Sequence, residues 1–358
     1  MDAPDYTELY AIPQDIVYPS TPNSLRQDTD FPNLNSKDYK LRKANKTEFP
    51  PYFDFIDQNS DKNVIIAAND LLHREPEGVV IGYSDVGAFE DGKDKRLFKF
   101  RREAIITGMH FMRHNLIILT LENGNVEMWS TRSDNSELNT YCPFRLTGNS
   151  QHITTVTSSN FLDANHSKLI TGDLRGSVIV WDTGAADLDS VQNYSLYRSE
   201  VTGICSSNQN DNTFFSCSNH GESFISDIRT NCKGTVLTND DENIFTDIAA
   251  QDNLIFIGDY SGNLKVFDQR NSSEEIQNLP LFGNSIKKIK PQSNGNCTAL
   301  LERGVGLKII SNSTFNTIYE SSEKSSLRDV IWIDESSFQV IGWNSLYKNY
   351  NLQPQNGK

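Results

Sequence analysis

Apolar and polar positions along the chain recur in blocks. Four segments share one pattern: a short apolar run, a turn ending in glycine, and a second apolar run whose last residue stands five positions after that glycine. They are LTLENGNVEMW, LITGDLRGSVIVW, FFSCSNHGESFIS and IFIGDYSGNLKVF, with turn glycines Gly124, Gly176, Gly221 and Gly262 spaced by 52, 45 and 41 residues. A looser fifth copy, ALLERGVGLKII, puts its turn at Gly304 or Gly306. About 20 residues upstream of each turn lies a further apolar stretch: Ala104 to Phe111, His152 to Val156, Glu200 to Cys205, Ile244 to Ala249 and Ser285 to Ile289. Runs such as Val178-Ile179-Val180-Trp181 and Leu264-Lys265-Val266-Phe267 favour strands, and no long apolar stripe of period 3.6 argues for helices. With a less regular outer run, each unit has four short strands in 40 to 45 residues, the signature of one propeller blade.

Removing the first 48 of the 358 residues leaves 310, about 44 for each of seven units. The expected fold is therefore all-β, a seven-bladed β-propeller over residues 49–358. Blade one spans about 52 to 100 (NVIIAA, GVVIGY, VGAF) and blade seven about 326 to 352 (SLRDVIWI, FQVIGW, LYKNY). A strand near Pro51 to Ile56 is expected to close the ring by pairing onto blade seven, which would remove exposed sheet edges. Residues 1–48 carry Pro4, Pro13, Pro19, Pro22 and Pro32 among polar residues without period, and read as an extended, poorly ordered lead-in. The lead-in ends in the basic cluster Lys37, Lys40, Arg42, Lys43 and Lys46, a solvated tail that has the composition of a nuclear import signal.

Composition narrows the function. A net charge of −14 repels phosphate backbones, so nucleic acid is not expected as a direct ligand. No window of about eighteen apolar residues exists and the amino terminus has no apolar leader, so neither a membrane span nor secretion is expected. The six N-x-S/T sequons then read as by-products of an Asn/Ser-rich composition. Cys142, Cys205, Cys217, Cys232 and Cys297 are odd in number and never spaced C-x-x-C, which points to packed thiols rather than disulfides or zinc. P-loop, H-E-x-x-H and G-x-S-x-G motifs are all missing, so no cofactor and no catalytic residue is expected. The acidic groups Glu90-Asp91 with Asp94, and Asp240-Asp241-Glu242, read as solvated loops.

One constellation imitates a catalytic set. His152, Thr171, Asp173 and Trp181 combine imidazole, hydroxyl and carboxylate. Their spacing instead matches a buried hydrogen-bonded tetrad that pins the turn at Gly176, and Asp259 repeats the position of Asp173 one turn before Gly262. A catalytic residue would not recur once per repeat.

Trp181-Asp182-Thr183, Asp227-Ile228-Arg229 and Asp268-Gln269-Arg270 end three equivalent units, and with them the chain resembles WD-repeat proteins; Ser226 and Phe267 replace Trp in two of the units. The segments Phe214 to Gly234, Leu254 to Ser273 and above all SLRDVIWIDESSFQVIGWN (Ser326 to Asn344) are similar to blades of the methylosome WD-repeat subunit, over roughly residues 100 to 350. Arg328, Asp329, Trp332, Gly342 and Trp343 are the most specific parts of that resemblance, and the length is closest to the family's germ-plasm member. The resemblance implies a non-catalytic adaptor. Its expected partners are the protein arginine methyltransferase that forms symmetric dimethylarginine, arginine-rich substrates such as Sm proteins or histone tails, and a Tudor-domain scaffold. Cytoplasmic residence, with the nucleus as a second compartment, goes with that reading. A general scaffold of a ubiquitin ligase, nuclear pore or chromatin complex is the alternative, and a propeller hydrolase with acidic channel residues is the enzymatic one. Thr131 to Thr147 and Gly184 to Ser199, which interrupt the repeat, are the expected docking loops.

Overall fold

A computed structural model describes residues 52–70, 76–85, 96–113, 116–130, 145–148, 154–184, 188–230, 234–293 and 295–352. The lead-in of residues 1–48 with its basic cluster, the VGAF run, the Glu90-Asp91-Asp94 group, most of the segment from Thr131, His152, Cys142 and Cys232 all lie outside the described residues.

The described residues form seven small antiparallel sheets and no helix: six of four strands and a last one of three. Each sheet is a meander, with sequential strands hydrogen-bonded side by side. The first strand of each sheet is the innermost. In chain order these are Phe53–Gln58, Ile106–Arg113, Val156–Phe161, Val201–Ser207, Phe245–Gln251, Ile286–Pro291 and Leu327–Trp332. Each packs beside the next, and the seventh returns to the first, so the sheets form the closed ring of a seven-bladed β-propeller.

The packing explains why the second strands read as nearly unbroken apolar runs. VIIAAND, LIILTL, LITGD and LIFIGD are buried on both faces, because each blade is covered by a neighbour on either side. The core is accordingly divided into seven clusters, one in each space between adjacent blades. One cluster joins Phe53, Ile66 and Ile81 of blade one to Ile331 and Ile341 of blade seven.

Ring closure differs from the expected strand exchange. The Phe53–Gln58 segment is the inner strand of blade one, where it pairs with Val64–Asp70, and the only backbone pairing of this segment with blade seven among the described residues is the isolated bridge Tyr52–Trp343, just past the middle strand Ser337–Gly342. Phe53 is fully buried between the two blades, a position it could not hold from the outer edge of blade seven. Two other expectations are corrected. The Gly184 to Ser199 stretch is not a free loop: Asp189–Ser195 pairs with Ser177–Asp182 as the outer strand of blade three. Arg145–Gly148 likewise forms the outer strand of blade two. In blade three the inner strand begins at Val156, where the upstream apolar stretch ends.

Candidate functional site

The second-to-third strand turns and the loops between blades meet on one face. There the N–H of Leu174 donates to Thr155 O, that of Tyr260 to Ile244 O, and that of Trp343 to Ser326 O. Gly124, Gly176, Gly221 and Gly262 all have φ between +72° and +86°, the left-handed region. Neither candidate in the fifth copy does: the strand Cys297–Glu302 is joined to Gly306–Ser311 by a turn over Arg303 to Val305. Leu174, Ile244, Tyr260 and Val305 expose apolar side chains on this turn face, beside the acidic loop Asp240 to Glu242.

The residues singled out from the sequence are placed in the blade framework. The Trp181 indole N–H donates to Thr171 Oγ1 at 2.8 Å, and both are buried. Asp173 Oδ1 accepts the N–H groups of Arg175 and Ser177 while Oδ2 accepts the Thr154 hydroxyl, so this carboxylate organises the turn before Gly176. Asp259 repeats the device: it accepts the Asn263 N–H and the side-chain amides of Asn243 and Asn263. On the opposite face Asp182 caps Gly184 N–H, and Asp227 and Asp268 hold Arg229 and Arg270 in ion pairs of 2.5 and 2.6 Å. The Arg270 guanidinium holds the Asp268 carboxyl down at about 2.

Arg328, Asp329 and Trp343, the residues that carry the family resemblance, meet at the seam between the last and first blades. Arg328 Nε is 2.7 Å from Asp54 Oδ1, and the guanidinium lies over the Trp343 ring at 5.2 Å. Asp54 Oδ2 accepts the Asn69 amide, and Asn69 in turn bonds the backbone of Ile106 in blade two. Asp329 Oδ2 accepts the Ile56 N–H across the same seam.

A feature not foreseen from sequence unites the blades. In all seven, the register between the inner strand and the second strand skips one residue. The skipped residues are Asp54, Thr107, Thr157, Thr202, Thr246, Lys287 and Arg328, and all seven line a central channel of about 740 Å³. Thr157, Thr202 and Thr246 each donate their hydroxyl to a carbonyl of the next blade, at Val201, Phe245 and Ile286. Elsewhere on the channel wall carboxylates make the link between blades: Asp57 accepts the Phe111 N–H and the buried Asp247 the Ile289 N–H, both at 2.7 Å. Spacing alone held the signal, since an apolar residue followed by Thr, Lys or Arg opens six of the seven inner strands.

Among the described residues no group of His, Cys, Asp and Glu is arranged to hold a metal ion. His110, lining the channel, is pushed down to about 3 by burial and by the nearby Lys290 and Lys288. Cys205 and Cys217 are buried, and burial raises both thiols, the second to about 12, which makes them poor nucleophiles.

The chain is similar to Protein valois of Drosophila melanogaster. The two are 23% identical over 362 aligned residues, which cover 94% of this chain and 95% of that protein. No protein-family model matches the chain. The likeness covers nearly the whole chain, and with the closed WD-like propeller it supports a protein-interaction scaffold.

Proposed function

We propose that this protein is a non-catalytic adaptor that binds the arginine methyltransferase forming symmetric dimethylarginine and holds it beside arginine-rich substrates. The observation that carries the reading is the end-to-end similarity to Protein valois, joined to the resemblance of the last blade to the methylosome subunit at Arg328, Asp329 and Trp343. A rigid ring that presents two loop faces suits simultaneous contact with an enzyme and a substrate. The net charge of −14 supports it further, since a negative surface raises the encounter rate of cationic tails in a salt-dependent way. A Tudor-domain scaffold is a second proposed partner, and cytoplasm with access to the nucleus is the proposed location.

Co-purification tests this directly. The full chain, tagged and expressed in its own cells, should recover a methyltransferase in stoichiometric amount, and the pair should co-elute on a sizing column. Recovery of ubiquitin-ligase or nuclear-pore subunits without a methyltransferase overturns the reading in favour of a general scaffold. Turnover of a small molecule by the isolated chain overturns the adaptor role altogether.

A further inference from the structure

We propose that the channel wall formed by Lys287, Lys288 and Lys290 is a binding site for a small molecule bearing more than one phosphate group. The first observation is positional. Lys287 occupies the skipped position at which three other blades place a threonine that bonds the next blade. Its ammonium group makes no hydrogen bond or ion pair, and neither do those of Lys288 and Lys290. Blade six therefore forgoes an inter-blade bond and sets three cations on one strand without a hydrogen-bonded acceptor, Lys288 being attracted to Asp247 and Asp329 but in ion-pair contact with neither.

Asymmetry between donors and acceptors favours an anion. Seven carboxylates line the channel; Asp163, Asp211 and Asp252 lie outside the inner strands, and the four on the inner strands are already engaged: Asp54 by Arg328 and Asn69, Asp57 by the Phe111 and Gln58 N–H groups, Asp329 by those of Ile56 and Val330. Asp247 accepts the Ile289 N–H. Each of these four already accepts at least one donor, whereas no acceptor is hydrogen-bonded to the three amines. Crowding by burial and by Arg328 holds the Lys287 amine down at about 8, a cost that a bound anion would relieve.

Size sets the ligand class. The channel, about 740 Å³, falls within the range usual for small-molecule sites. Strand geometry separates the backbones of Lys287 and Lys290 by roughly 10 Å, a span over which a compact polyphosphate offers several anionic groups and a single carboxylate or phosphate only one. The source is told apart by probe, since a nucleotide and an inositol phosphate present the same groups on different frames.

The test is calorimetric titration of the purified full chain at low salt with inorganic phosphate, pyrophosphate, ATP, inositol hexakisphosphate and, as a polycarboxylate control, citrate. Saturable one-site binding of the multi-phosphate probes is expected, weakening as salt rises. The tighter of ATP and inositol hexakisphosphate identifies the source. Lys287→Met and Lys290→Met should each weaken binding about tenfold or more, the loss expected for a charged hydrogen bond. Lys287→Thr should weaken it equally while raising the melting temperature, because it restores the inter-blade hydroxyl. Lys348→Met, outside the channel, should leave binding unchanged. In parallel, acylation of Lys287 at pH 8, read by mass spectrometry, should slow in the presence of the bound probe. Absence of saturable binding at millimolar probe, binding that the lysine variants retain, or preference for citrate over every phosphate overturns the proposal.

Discussion

Arg328 and Asp54, 274 residues apart, form a 2.7 Å ion pair that joins the last blade to the first. Trp343 covers the guanidinium, Asn69 holds the other carboxylate oxygen, and Asp54 is only 7% exposed. The pair thus does at the channel mouth what strand exchange was expected to do at the rim. Removing one partner of such a pair leaves an uncompensated, largely desolvated charge. Arg328→Met should therefore cost about 3 kcal/mol, measured by urea unfolding. The double variant with Asp54→Asn should recover part of that loss. Full additivity of the two single changes would show that the contact does not close the ring.

The buried hydrogen bonds of Trp181 and Asp173 in blade three predict a loss of stability that precedes any loss of binding. Trp181→Ala removes the largest fully buried side chain and its bond to Thr171, for an expected cost of about 3–5 kcal/mol. Asp173→Ala should cost about 2–4 kcal/mol, because three donors lose their acceptor. Thermal melting beside methyltransferase binding checks both. An unchanged melting temperature with lost function would return these residues to a chemical role.

The ring of blades was legible because burial on both faces and the turn glycines leave a mark at every repeat. The seam was not. Asp54 lies in a segment, Phe53 to Ile56, whose apolar residues fit an inner strand of blade one and an outer strand of blade seven equally well, and only the packing of Phe53 against Ile331 and Ile341 separates the two. Arg328, Asp329 and Trp343 stood out by resemblance, yet their task depends on partners nearly three hundred residues away. The channel lysines carried no mark in the sequence, since a strand sequence does not reveal which of its edges faces a cavity. Gly184 to Ser199 looked like a loop because its outer strand is exposed along most of its length and so lacks an apolar pattern.

The turn glycines predict a contrast. Gly262 has φ +86°, and a Cβ there would stand 2.4 Å from Phe282 O and 2.6 Å from Asn284 O. Gly262→Ala should cost at least the roughly 1–2 kcal/mol of left-handed strain, with the backbone clash in addition. Gly304, which sequence spacing made an equal candidate, has Glu302 Oε2 no nearer than 3.7 Å to such a Cβ. Gly304→Ala should be nearly neutral in the same urea titration. Equal losses at both positions would mean that the fifth turn also requires glycine.

Asp57 predicts a pH dependence with a definite sign. Its Oδ2 accepts the Phe111 N–H from blade two, and burial raises its pKa above the ordinary carboxylate value despite Lys290 and two N–H donors, with Asp329 acting in the same direction as burial. The folded state therefore keeps a proton that the unfolded chain has lost. For a raised folded value, the stabilising contribution is fully present below the unfolded pKa and is lost as pH rises through the folded one. Asp57→Asn cannot ionise and keeps an oxygen to accept the Phe111 N–H. Its urea midpoint should gain on that of the natural protein as pH rises from about 4 toward 7, and the two should converge below the ordinary aspartate value. A variant that loses ground over that interval would mean that attraction to Lys290 outweighs desolvation, and that the ionised carboxylate holds the first two blades together.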